Sequence, residues 1–185
     1  MEGLKDKYLL FKAQTFKDAD SYGAIYDRYV TRIYRFIYFK VGSQTDAEDI
    51  TSETFLKAWQ YIKESQQVKN LNAFLYSIAR NLVIDHYRFQ AKKMEFEEVP
   101  IAEPQEDNNL PQTLDIKKNE EKILAALKTL KNEYCEVLIL RYFDDVPVGD
   151  ISQIIGKSTG NTRVLIHRAL AALKRVVEPQ QKNEQ

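Results

Sequence analysis

Apolar residues recur at spacings of three and four along most of the chain, the pattern of helices packed by one face. Ile25, Tyr29, Ile33, Phe36 and Ile37 form such a stripe and predict a helix over residues 22–39, broken by "VGSQT". Thr45 with Glu48 three positions later makes a capping box, so a second helix is expected to start there and to run to about residue 63. After the polar break "ESQQVKN", Asn72 is a plausible cap for a third helix, "AFLYSIARNLVIDHYRFQ", with Leu75, Ile78, Ala79, Leu82 and Val83 inward.

The pattern then lapses. "EFEEVPIAEPQED" carries six carboxylates and no cation, and Pro100, Pro104 and Pro111 interrupt regular structure. This predicts a flexible acidic linker over 94–114, longer than the usual connection inside a domain. Helical periodicity resumes at Ile123, Leu127 and Leu130, and Asn132 is placed to cap "EYCEVLILRYF". "DISQIIG" reads as a short helix with Ile151, Ile154 and Ile155 inward and Gly156 as a left-handed stop. Ser158 can cap a last long helix to about Val177, with Val164, Ile166, Leu170 and Leu173 among its apolar positions.

The expected fold is therefore all-α, in two small helical domains at 1–93 and 115–178, with a disordered tail at 179–185. Six Gly and five Pro in 185 residues suit helices better than a turn-rich sheet, and no strand alternation or internal repeat is visible. Formal net charge is zero, so a polyanion partner must be argued from local clusters. The lone Cys135 excludes an internal disulfide and a four-thiolate zinc site. No run approaches the roughly 18 apolar residues of a membrane span, and the N-terminus lacks a signal-peptide pattern. A soluble protein of the reducing cytoplasm is expected, with no membrane insertion.

Two clusters depart from neutrality. "DISQIIGKSTGNTRVLIHRALAALKR" has the proportions of a helix-turn-helix. From Lys157 to Arg175 it holds five basic residues and no acidic one. Arg163, Val164 and His167 would face outward with Arg168 beside them, where Arg can bond a guanine edge and the others read shape or a thymine methyl. Lys157 and Lys174 suit phosphates. A helical hairpin with a solvated basic face is the plainer alternative, and His167 has no metal-ligating neighbour in sequence. The third helix is the other cluster. It mixes Phe74, Tyr76, Tyr87 and Phe89 with Arg80, Asn81, His86, Arg88, Lys92 and Lys93. Rings beside cations suit unstacked bases, although Phe74, Leu75 and Ile78 equally suit a core.

The second helix is of opposite character. On a helical wheel Asp46, Asp49 and Glu53 fall in a stripe about 60° wide, continued by Leu56 and Gln60. Ala47, Thr54, Ala58 and Tyr61 point toward the core, with Phe55 and Trp59 at its flank. Capping and the helix dipole account for acids in the first turn, but not for Asp49 and Glu53. An acidic stripe edged by apolar residues repels DNA and suits a basic protein groove.

"YGAIYDRYVTRIYRFIYFKVGSQTDAEDITSETFLKAWQYI" followed by "FLYSIARNLVIDHYR" resembles region 2 of the bacterial sigma-70 family, in its small extracytoplasmic-function (ECF) type. "LKTLKNEYCEVLILRYFDDVPVGDISQIIGKSTGNTRVLIHRALAALK" resembles region 4 of the same family. The resemblance covers roughly residues 20–92 and 115–177, in the family's order and spacing, with no room for the extra domain of housekeeping factors. It implies a non-catalytic specificity subunit that binds core RNA polymerase and directs promoter-specific initiation. Region 2 would engage the polymerase clamp helices through Asp46, Asp49, Glu53, Leu56 and Gln60. It would capture flipped bases of the melted −10 element through Asn72, Tyr76, Arg80, Asn81, His86 and Arg88. Extruding a base costs a few kcal/mol, repaid by stacking and hydrogen bonds in its pocket. Region 4 would read the double-stranded −35 element through Lys157, Thr159, Arg163, Val164, His167, Arg168 and Lys174.

The resemblance further implies a bacterial cytoplasmic protein, nucleoid-associated when in holoenzyme, and an anti-sigma partner that covers the polymerase-binding surfaces. The acidic linker would fold back on the basic helices or stand in for nucleic acid in the polymerase channel. The chain departs from the family at Pro147, in place of a Ser or Thr cap, at Lys157, and at Leu165, which removes an expected phosphate contact.

A stand-alone helix-turn-helix regulator is the competing reading. It needs a dimer interface to span two half-sites, and no heptad seam for one is visible. A helical adaptor with solvated basic faces is a third. No nucleophile–base set, P-loop or paired carboxylates suggest catalysis, and no cofactor or metal is expected.

Overall fold

A computed structural model describes residues 2–64, 67–96 and 125–177. Among them the chain is all-α, in two compact units, Met1–Glu106 and Asp107–Gln185. The predicted linker beyond residue 96 and the predicted tail lie outside the described residues.

The described residues of the first unit form four helices: α1 (Glu2–Phe16), α2 (Ala19–Val41), α3 (Gln44–Lys63) and α4 (Leu71–Phe96). The stripe read from the sequence forms the core of α2: Ile25, Ile33, Phe36 and Ile37 are fully buried and Tyr29 nearly so. Gly42 closes α2 at φ 73°, a left-handed position that glycine occupies without steric cost, and its N–H bonds to the Tyr38 carbonyl.

Helix α1 has no counterpart among the predicted elements. Leu9, Leu10 and Ala13 are buried while Leu4, Tyr8 and Phe11 are exposed on the opposite side. Apolar residues on two faces cancel the one-sided periodicity by which a helix is recognised. Four hydrogen bonds fix α1 and the residue after it to the bundle. Asp6 accepts from Arg28 and from the Tyr29 hydroxyl, both at 2.8 Å. Lys17, at φ 55°, donates to the Ile62 carbonyl at 2.7 Å. Gln14 accepts from the Val68 N–H at 2.6 Å, pinning the loop before α4. At the α1–α2 turn the Ser21 hydroxyl, with Lys12 beside it, holds the Asp18 carboxyl below its ordinary range.

Three predicted caps are corrected. Ser43, not Thr45, caps α3 by accepting from the Asp46 N–H at 3.3 Å. Glu48 instead accepts from the Gln44 side chain at 2.8 Å. Asn70, not Asn72, accepts from the Ala73 N–H at 3.1 Å at the start of α4. Asn132 lies inside its helix, whose N-cap Lys131 makes no side-chain capping bond. In the first two cases the competing polar residue stands two positions upstream, and backbone geometry chooses between them. Ser43→Ala is therefore expected to destabilise the first unit by about 1 kcal/mol in chemical unfolding, and Thr45→Ala by a few tenths at most.

Aromatic rings knit the bundle. Phe36 and Tyr76 meet edge-to-face at 5.3 Å, Tyr22 stacks on Trp59 at 4.8 Å, and Tyr26 meets Phe55 at 4.8 Å. The Tyr22 hydroxyl donates to the Phe55 carbonyl at 2.5 Å, and burial pushes that phenol's pKa up. The Tyr87 hydroxyl donates to the Lys40 carbonyl, joining α4 to the end of α2. Tyr61, expected toward the core, is 39% exposed and lies against Phe74 at 5.0 Å.

Among the described residues, the second unit opens with helical residues 125–129, followed by α5 (Asn132–Leu138), α6 (Val148–Ile155) and α7 (Thr159–Val177). Every residue from Cys135 to Leu140 is buried, as in a helix enclosed on all sides. The segment predicted as one helix widens into a π-turn at Ile139–Phe143, where the Asp144 N–H reaches back to the Ile139 carbonyl. Ile151, Ile154 and Ile155 are buried, and Gly156 ends α6 at φ 67°, as expected. Pro147 occupies the N-cap position of α6 without a side-chain capping bond. Ser158 caps α7, accepting from the Asn161 N–H at 3.2 Å.

Candidate protein- and nucleic-acid-binding surfaces

The sequence places Asp46, Asp49 and Glu53 one helical turn apart on α3, and the packing of α3 against α4 turns that stripe into one wall of a cleft. The cleft has a volume of about 350 Å³ and is lined from α3 by Asp46, Asp49, Ile50, Glu53 and Lys57. Leu82, Asp85, His86 and Phe89 line it from α4. Four carboxylates thus converge on an apolar floor, against one lysine. Lys57 pairs with Glu53 at 2.9 Å, but both side chains are about half exposed and the pair is weak. Leu56, 56% exposed, and Gln60 continue the face beyond the cleft. Ala47, Thr54 and Ala58 are buried beneath it.

Helix α4 was expected to meet nucleic acid through six residues, and the structure separates them. Arg80, Asn81 and Arg88 fall on one arc with Lys92, about 120° wide on the helical wheel. Asn81, Arg88 and Lys92 are exposed, and Arg80 is half-buried. Tyr76 is corrected: it is fully buried against Phe36 and presents nothing to a base. His86 is corrected too, because its ring faces into the acidic cleft with Nε2 3.7 Å from Asp46, hydrogen-bonded to Gln90 at 2.9 Å. Asn72 is half-buried in the first turn, off the arc. Phe89, 70% exposed, lines the cleft.

Sequence reasoning missed the α4 wall. Asp85 and Phe89 stand at i, i+4, and that spacing was available as a signal. Which helix they face was not, since periodicity defines a face without naming its neighbour.

In the second unit α6, the turn at residues 156–158 and α7 form the expected helix-turn-helix. Arg163, Val164, His167, Arg168 and Lys174 are exposed on one side of α7, while Thr162, Leu165, Ile166 and Ala169 are buried on the other. Lys157 and Thr159 are exposed at the turn and first helical position. Leu165 is corrected: it faces the core, so no phosphate contact is lost there. Among the described residues, no group of three or more His, Cys, Asp or Glu is placed to hold a metal ion. No helix of the described residues is long and apolar enough to cross a membrane.

These surfaces define a class: a protein whose described residues are all-helical, in two units, with an acidic cleft in one and a basic helix-turn-helix in the other. Comparison with known proteins narrows it. The profile of Sigma-70 region 2 matches residues 25–93, and that of Sigma-70, region 4 matches residues 120–173. The chain is 32% identical over 162 residues to the ECF RNA polymerase sigma factor BldN of Streptomyces coelicolor, covering 86% of this chain and 61% of that protein. It is 29% identical over 173 residues to the ECF RNA polymerase sigma factor SigW of Bacillus subtilis, covering 85% and 89%. In fold it is similar to CnrH, solved in complex with the cytosolic domain of CnrY, at TM-score 0.70 and 19% identity over 96% of this chain and 99% of that one. It is also similar to the Bartonella quintana sigma factor RpoE, solved with the anti-sigma factor NepR, at TM-score 0.66 and 21% identity over 86% and 98%. The chain belongs to the sigma-70 family of RNA polymerase sigma factors, in its ECF type.

Proposed function

We propose that this protein binds core RNA polymerase through the α3–α4 cleft and directs initiation at promoters that its two units recognise. The observation that carries the reading is the division of charge. Carboxylates on an apolar floor occupy one unit, and an uninterrupted basic face occupies the other. The first suits a basic protein groove and the second suits DNA. Region 2 would hold the melted −10 strand on the arc of Arg80, Asn81 and Arg88. That arc offers two guanidiniums for the backbone and an amide for a base edge. Region 4 would place α7 in the major groove of the −35 element with Arg163, Val164, His167 and Arg168 at base edges. Lys157, Thr159 and Lys174 would lie at phosphates.

In this role the protein is a non-catalytic specificity subunit, working in the bacterial cytoplasm on nucleoid DNA. The Bartonella quintana factor of similar fold, solved with the anti-sigma factor NepR, supports an anti-sigma partner here.

Run-off transcription with core polymerase on a promoter library tests the reading. Specific transcripts that require both core enzyme and this protein are expected. Tight operator binding by the protein alone, with no effect on core enzyme, would instead establish a free-standing regulator. On a promoter so found, Arg163→Ala should cost about 1–3 kcal/mol of −35 binding in a mobility-shift assay and relax preference at one base pair. Lys174→Ala should weaken binding evenly across sequences and flatten its salt dependence by about one unit of slope.

A further inference from the structure

The outer face of α1 lies outside the residues matched by the family profiles and takes no part in the surfaces described above. Leu4, Tyr8 and Phe11 are 78%, 61% and 56% exposed. With the exposed Thr15 they fall within an arc about 60° wide on the helical wheel. Phe16, also exposed, meets Phe11 edge-to-face at 6.1 Å at the end of the stripe. A run of bulky apolar residues about 10 Å long on a helix already packed by its other face marks an interaction site.

The spacing says what kind. Positions 4, 8, 11 and 15 are separated by four, three and four residues, the register of the a and d positions of a coiled coil. The positions bordering such a seam are then 5 and 12 on one side and 7 and 14 on the other. They hold Lys5, Lys12, Lys7 and Gln14. The one carboxylate between Leu4 and Phe16 is Asp6, which is turned inward onto Arg28 and Tyr29. Lys12 lies 5.9 Å over the Tyr8 ring and pairs with Asp18 at 3.3 Å, so Lys5 and Lys7 carry most of the border charge.

Border charges of this kind select the partner of a helical seam. A second copy would set lysine against lysine, which disfavours a homodimer through this face. An interfacial membrane helix presents an apolar face wider than this narrow seam. Single-strand binding needs stacked rings, and heptad spacing and Leu4 serve no such purpose.

We propose that the outer face of α1 docks an acidic amphipathic helix of a protein partner, with apolar residues on the seam and Glu or Asp along its borders.

The test uses the full-length protein and two labelled three-heptad peptides, each with leucine at a and d, one with Glu and one with Lys at every e and g position. On an Asp49→Asn/Glu53→Gln background, which neutralises the acidic cleft as a competing site for the Lys peptide, the Glu peptide should bind in fluorescence anisotropy and the Lys peptide should not. The double variant Tyr8→Glu/Phe11→Glu should weaken the Glu peptide at least about tenfold, and Lys5→Glu/Lys7→Glu should reverse the preference between peptides. Both variants alter exposed side chains and should melt with the wild type. The Lys5→Glu/Lys7→Glu reversal is a gain of binding that a misfolded protein cannot mimic. Equal binding of both peptides, or no binding of the Glu peptide, overturns the proposal. So does a stripe-dependent affinity for phosphatidylglycerol vesicles or a single-stranded oligonucleotide in the absence of peptide binding.

Discussion

Asp49→Lys combined with Glu53→Lys is expected to abolish assembly with core RNA polymerase while leaving −35 DNA binding intact. The two substitutions change the charge of the cleft wall by four units and leave Asp46 and Asp85 to face three lysines, the third being Lys57. A cleft that attracts a basic partner then repels it. Opposite charges about 4 Å apart near a protein surface interact by about 4 kcal/mol before screening. Reversing two of them should thus weaken core binding by at least a hundredfold at moderate salt. Both side chains are exposed, so the fold should survive, and helical content and melting temperature check that point. Titration of labelled protein with core enzyme measures the loss, and a mobility shift on −35 DNA supplies the control. Core affinity within about threefold of wild type would contradict the assignment of the cleft.

Tyr76→Ala should act by another route. The Tyr76 ring is fully buried and packs edge-on against Phe36, so its removal forfeits contact area and leaves a cavity. Large aromatic truncations in cores cost about 3–5 kcal/mol, a large share of the 5–15 kcal/mol that holds a domain together. The melting temperature of the first unit should fall by more than 10 °C, at roughly 4–8 °C per kcal/mol for a domain of this size. Asn81→Ala, five residues further along the same helix and exposed, should change stability by less than about 0.5 kcal/mol. Its effect should appear in promoter opening, read by permanganate footprinting of the melted strand. Unchanged melting in Tyr76→Ala would show that the ring is not core. A large stability loss in Asn81→Ala would remove it from the DNA-facing arc.

Much of the fold is legible in the sequence. The stripe from Ile25 to Ile37, the left-handed stop at Gly156, the Ser158 cap and the outward set on α7 follow from local rules, and each is seen. Those features are governed by neighbours a few positions away, which sequence supplies directly. The failures share a different cause. Helix α1 escaped notice because its two apolar faces cancel. The caps Ser43 and Asn70 lost to Thr45 and Asn72 because two polar residues competed and only backbone geometry separated them. Tyr61 and Leu165 were assigned to the wrong side of their helices' boundaries.

The sequence by itself determined the all-helical class, the family, the acidic stripe on α3 and the basic face on α7, because each is written in residue type and spacing along one helix. Tertiary structure alone decided how α4 divides between core, cleft and outer arc. Tyr76 went to the core and Asp85, His86 and Phe89 to the acidic cleft, leaving Arg80, Asn81 and Arg88 on the outer arc. A helix of this length has several faces, and periodicity ranks them by polarity without saying what each one meets. The packing of α3 across α4 supplies that missing information, since a carboxylate stripe becomes a cleft only when a second wall stands opposite it.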